Sequence, residues 1–206
     1  MAETTSRLTL PYPTPDDTVD VPRDIEALAE RLDVVTTPTL VTALPGSPVD
    51  GQEVYFVADA AARVLWHLRY NAVGGAYKWE YLGGPPLTAI DTSADSTGSS
   101  ALVLLGGPSL TLPLAGDWVL ELGIRAWHAV VDGAAAAHFR FPNGVDDGRY
   151  ASFTSARANQ AASVYRKERY VGLTAGTLTV SYRSVGPPGN ASFIDRTLTA
   201  TPIRLG

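Results

Sequence analysis

The sequence predicts a mainly β protein: a short N-terminal helix, a small antiparallel β module and a C-terminal antiparallel β-sandwich that is jelly-roll-like. Three observations carry the prediction. Only one stretch, VDVPRDIEALAERLD at 19–33, has helical periodicity. After it come short apolar or alternating runs, with no second helical pattern between them. Nineteen Gly and fifteen Pro, without a collagen-like period, supply the turns that separate those runs.

Residues 1–36 form the first unit. LPYPTPDD places three prolines close together, and each fixes its own φ and biases the residue before it toward extended geometry. An extended arm is expected there. In the helix, Pro22 suits the first turn, and Asp24 and Glu26 lie near the positive end of the dipole. Val21, Ile25, Leu28, Leu32 and Val35 are spaced 4, 3, 4, 3, which is a heptad seam. A helix of about 12–15 residues is marginal alone in water and needs a partner for its apolar stripe. Such a stripe can dock on its own chain. Its isolation between the Pro-rich arm and TTPT favours copies of itself around a symmetry axis, held mainly by the domains that follow.

Residues 37–90 read as a small antiparallel module. GQEVYFVAD at 51–59, RVLWHLRY at 63–70 and AYKWEYLG at 76–83 are the strands, with NAVGG as a hairpin loop. Tyr77, Trp79 and Tyr81 alternate with Lys78 and Glu80, as on a strand with one buried face. The polar run DTSADSTGSS at 91–100 reads as a linker. Residues 101–206 then hold eight strand candidates: SALVLL, SLTLPL, GDWVLELGIRAWHAV, AAAAHFRF, GRYASFTS, ASVYRKERYVGL, GTLTVSYRS and ASFIDRTLTATPIRL. Regular strands without intervening helices predict a sandwich or jelly roll.

Composition narrows function by exclusion. A net charge of −5 argues against a nucleic-acid binder driven by counterion release. The absence of Cys removes disulfide and thiolate chemistry. No apolar run approaches the roughly 18 residues that span a bilayer, so no membrane insertion is expected. MAETTSRLTL has no basic segment followed by an apolar run, so a protein made in the cytoplasm is expected. His67, His128 and His138 lack a second ligand at metal spacing. NGVDDG at 143–148 lacks the calcium-loop pattern and reads as turns. No nucleophile elbow, phosphate loop or distinguished carboxylate pair is present. No cofactor, metal or catalytic residue is expected.

Two surface features remain. RYASFTSARANQAASVYRKERY at 149–170 carries five Arg or Lys against one Glu. Tyr150, Arg157, Tyr165, Arg166, Lys167, Arg169 and Tyr170 are therefore candidates for contact with an anionic surface glycan. Such a run is also what a solvated strand pair looks like. Trp118, Trp127, Tyr150, Phe153, Tyr165, Tyr170 and Tyr182 form an aromatic set, and sugar sites use aromatic faces as cores do. Trp118 and Trp127, in apolar strands, are expected inside.

The order of these parts resembles a known family. LPYPTPDDTVDVPRDIEALAERLD followed by LVTALPGSPVDGQEVYFVADAAARVLWHLRY and AYKWEYLGGPPL is similar to the N-terminal region of minor tail or fibre proteins of tailed bacteriophages, those of actinobacteria in particular. The likeness covers about the first 87 residues; the rest matches in architecture alone. It implies a non-enzymatic virion structural protein, a homotrimer whose helices form a short bundle with Ile25, Leu28 and Leu32 facing the axis. The arm would attach to other virion proteins, and the sandwich would be presented for host contact, glycan binding included. Decoration of a capsid or collar is the alternative within that class. A virion-borne glycan-degrading enzyme is the alternative outside it.

Overall fold

The computed structural model describes residues 3–4, 11–12, 23, 25–29 and 38–206. In the arm, β1 (Glu3–Thr4) pairs antiparallel with β2 (Pro11–Tyr12). Residues 25–29 are helical, as the seam spacing predicts. Ile25 and Leu28 lie in that turn, whereas Val21, Leu32 and Val35 lie outside the described residues.

Everything from residue 38 on is built around one long strand, β15 (Ala191–Leu205). Along one edge it pairs with β10 (Gly116–His128), which pairs in turn with β13 (Ala162–Leu173). Along its other edge three strands follow one another. β8 (Asp95–Thr97) meets residues 191–193, β7 (Leu87–Asp91) meets 196–200, and β6 (Trp79–Gly83) meets 204–205. From β6 the sheet continues through β5 (Val64–Tyr70) and β4 (Glu53–Asp59) to β3 (Thr39–Val41). The antiparallel trio β4–β5–β6 is as expected, and β3 adds a parallel edge strand.

The second sheet has the order β12 (Ala151–Thr154), β11 (Ala134–Arg140), β14 (Gly176–Val185), β9 (Leu110–Leu112). Facing strands β7–β15–β10–β13 and β9–β14–β11–β12 interleave in chain order as two Greek keys do, which makes the sandwich a jelly roll.

Seven of the eight strand candidates in 101–206 form strands at the predicted places; most alternate against one buried face, whereas β11 is buried on both. SALVLL does not; it contributes only the bridge from Val103 to Tyr182. The run 91–100 is no free linker. It contains the end of β7 and all of β8, both hydrogen-bonded to β15. Its polar side chains serve a buried arginine, described below, and so mimic the composition of a loop.

The module at 37–90 and the sandwich also share a core. Trp66 on β5 and Trp118 on β10 are fully buried with ring centroids 5.6 Å apart. The Trp66 indole N–H donates to the Pro85 carbonyl at 2.9 Å. Beside it Gly84 has φ +128°, and a Cβ there would stand 2.3 Å from the Leu65 carbonyl oxygen, so only glycine fits. Burying a ring of this size withdraws about 150–250 Å², worth roughly 4–6 kcal/mol at about 25 cal/mol per Å². Trp118 is inside as expected. Trp127, one register step from buried Ala126 and His128, is half-buried on the opposite face.

Candidate contact surfaces

The seven glycan candidates do not form one surface. Five of them lie on β13, an edge strand whose residues alternate between the two faces of its sheet. Tyr165, Lys167 and Arg169 point outward; Arg166 and Tyr170 point into the sandwich. The outward three meet acids of β10. The Tyr165 hydroxyl donates to Glu121, Lys167 lies 2.6 Å from Glu121, and Arg169 lies 3.5 Å from Asp117. Hydrogen bonds from Lys167 and then Tyr165 hold Glu121 below the usual carboxylate range. The basic stripe is thus largely neutralised in place.

The inward pair closes the open edge of the sandwich. Arg166, buried, grips Asp147 through two N–H groups at 3.2 and 2.5 Å. It also donates to the Tyr170 hydroxyl at 2.7 Å, and that hydroxyl donates to Asp147. Its guanidinium lies 5.0 Å from the Phe139 ring. Burial opposes the Arg166 charge, yet Asp147 outweighs it and holds the group above its ordinary value. Burial, followed by the Asp147 carboxylate, pushes Tyr170 up. Arg166 and Tyr170 thus face inward, Arg166 buried and Tyr170 half-buried, both bonded to Asp147.

Tyr150 and Arg157 are exposed. Tyr150 stands on the outer face of the second sheet, its ring 5.4 Å from that of His138 and 5.5 Å from the Arg183 guanidinium. Arg157 lies in the turn before β13. These two are the candidates left open to solvent without a carboxylate of their own. Of the other aromatics in the predicted set, Tyr182 is fully buried and Phe153 half-buried.

The most elaborate polar cluster was not among the predicted residues. Arg196 of β15 is completely buried, and one terminal nitrogen makes all its hydrogen bonds. They run to Asp91 at 2.8 Å, Asp95 at 2.6 Å, the Ser93 hydroxyl at 3.0 Å and the Ser93 carbonyl at 3.4 Å. The guanidinium lies 5.5 Å from the Tyr182 ring. Gly107, with φ +102°, passes so close that a Cβ would sit 3.0 Å from the guanidinium carbon. The Ser93 hydroxyl and N–H, then Arg196, hold Asp91 below its ordinary value. Burial pushes Tyr182 up to about 12. The sequence carried one signal: stepping back by two from Ala200 and Leu198 puts Arg196 on the inward face.

Each of the three histidines makes at least one hydrogen bond, while among the described residues the buried Nε2 of His138 has no partner. The Val130 N–H donates to His128 Nδ1 at 3.2 Å, which leaves Nε2–H to donate to the Ser184 hydroxyl at 2.9 Å. Ser184 then donates to the Gly189 carbonyl at 2.9 Å. His138 Nδ1 donates to the Asp147 carbonyl at 3.0 Å, and His67 pairs with Glu53 at 2.8 Å. Among the described residues no three His, Cys, Asp or Glu are placed to hold a metal ion. Among them, too, no helix is long and apolar enough to cross a membrane. A groove of about 580 Å³ lies between the β4–β5 turn and edge strands β7 and β9, lined chiefly by Ala58, Val64, Leu87 and Leu110.

No family model and no curated protein matches the chain. Solved structures do. The Eiger TNF of S. frugiperda aligns at 9% identity and TM-score 0.41, over 59% of this chain and 94% of its own. The globular domain of zebrafish complement 1qA aligns at 7% identity and TM-score 0.40, over 59% and 99%. A structure of infectious bursal disease virus, Gx strain, aligns at 11% identity and TM-score 0.37, over 67% and 40%. Likenesses this slight carry no argument; the jelly roll stands on the strand order.

Proposed function

We propose that the chain is a non-enzymatic structural protein of a bacteriophage virion, a homotrimeric tail or fibre component. In this reading it attaches through its N-terminal arm and presents a jelly roll outward. One observation supports it most: the helix ahead of the jelly roll leaves its apolar residues Ile25 and Leu28 exposed, uncovered by the body of the same chain. A short amphipathic helix holds together only when its stripe is buried, and two further copies supply that burial. The likeness of the first 87 residues to phage tail and fibre proteins names the setting.

Host-glycan contact, in this reading, falls to Tyr150 and Arg157, the two candidates open to solvent and unpaired with acids. Chemical cross-linking followed by gel separation tests the assembly. A ladder ending at three chains is expected for the native protein, and its top band should weaken in Ile25→Asp/Leu28→Asp. A ladder that stops at one chain would sink the proposal. For the glycan, Tyr150→Ala should remove binding on a glycan array with the fold unchanged. Equal binding by the variant removes Tyr150 from the account.

A further inference from the structure

Two buried nitrogens without a partner lie close together on the outer face of the second sheet. They belong to His138 of β11 and Arg183 of β14. Ala136 pairs with Arg183 and His138 with Ser181, so the two are diagonal neighbours within reach of long side chains. His138 is 3% exposed. Its Nδ1 lies 3.0 Å from the Asp147 carbonyl oxygen and must carry the proton, so the neutral ring presents a bare Nε2 that accepts a hydrogen bond. Among the described residues that Nε2 meets no donor, and the buried Nε–H of Arg183 meets no acceptor. A native fold leaves few such groups, and each calls for a partner the chain does not supply.

Arg183 is also a cation without an acid. The carboxylates of this corner are already taken. Asp146 meets Arg140 at 3.0 Å and accepts from the Ser181 hydroxyl at 2.5 Å, and Asp147 is gripped by Arg166. Among the described residues Arg183 has one charge-related contact, with the Tyr150 ring. That ring lies against both groups, its centroid 5.4 Å from His138 and 5.5 Å from the Arg183 guanidinium carbon. Tyr150 is 52% exposed and stands just ahead of β12, so its ring turns on the timescale of surface side chains.

We infer that His138, Arg183 and Tyr150 form a binding site for a hexuronic acid residue of a surface glycan. With Tyr150 turned aside, the Arg183 fork takes the carboxylate, Nε and a terminal nitrogen each donating to one oxygen. A ring hydroxyl of the sugar donates to His138 Nε2. The Tyr150 ring then flanks the apolar face of the pyranose. A neutral sugar would leave the guanidinium charge unmatched, and an inorganic anion offers Tyr150 no apolar face. This site rests on the glycan reading of Tyr150 and commits it to one class of sugar.

Tetrasaccharides of galacturonate, mannuronate and hyaluronan, each beside its carboxyl-reduced form, are the probes, titrated into the native protein in a calorimeter. At least one acid form should bind, and carboxyl reduction should weaken it by about tenfold or more, as loss of a charge-assisted pair does. Arg183→Met should weaken it as much while holding or raising the thermal melt, because the change removes a buried N–H that has no acceptor. Binding that survives carboxyl reduction or Arg183→Met would overturn the inference. So would a lower melt in Arg183→Met, which would make the guanidinium a packing element. If no acid form binds while neutral glycans bind through Tyr150 on the array, the uronate class falls and the glycan reading stands. If no glycan binds at all, both fall.

Discussion

Arg196 shows most plainly how one side chain organises this fold. Its charge is completely buried, and Asp91 and Asp95 reach it from β7 and β8, the two strands paired beside it. Removing one partner of such a pair leaves the remaining charges uncompensated. Arg196→Met is expected to cost roughly 2–4 kcal/mol in a urea titration, since the acids it leaves behind are partly open to water. Gly107→Ala should cost about 1–3 kcal/mol, from its positive φ and from the guanidinium in its path. By contrast, Lys167→Ala removes an exposed partner of Glu121 and should change stability by less than about 1 kcal/mol. Titration adds a sign. Asp91 and Glu121 are both held below their ordinary values. Their contribution is therefore present above the normal carboxylate range near pH 4 and lost as pH falls through their lower folded values. Thermal melts should be level from about pH 7 to 5 and fall below about pH 4; a fall already at pH 6 would contradict that assignment.

At the scale of elements, the long strands were legible because each alternates cleanly against a buried core. β10, β13, β14 and β15 all stand where period-2 patterns placed them. β8 was not legible, since Asp95, Ser96 and Thr97 carry no apolar face, and its pairing comes from a strand almost a hundred residues away. The same reasoning explains the basic stripe. The sequence showed its charges but not their register against Glu121 and Asp117, which only strand pairing supplies. Alternation alone already implied that Arg166 and Tyr170 could not share a face with Lys167. The helix is the opposite case: its turn at 25–29 stands where the seam spacing placed it, while Val21, Leu32 and Val35 lie outside the described residues. Ile25→Asp/Leu28→Asp should leave the unfolding free energy of the body in urea within about 0.5 kcal/mol of native, because both positions are exposed in the single chain. A body that unfolds with the helix would mean the stripe docks in cis.

As a whole molecule, the chain is a jelly roll extended along one sheet and led by a helix whose apolar side is open. Trp66 and Trp118 bind the extension to the sandwich as one core. Trp66→Ala is expected to cost about 3–5 kcal/mol and to unfold extension and sandwich in a single transition. Two separate transitions would restore the boundary at 91–100. Such coupling suits a structural component, in which attachment at one end must fix the orientation of a surface at the other. The central claim is that three copies share this arrangement. Light scattering on the purified native chain over a hundredfold range of concentration tests it most directly. The account predicts a concentration-independent molar mass of three chains, and a mass of one chain throughout would contradict it.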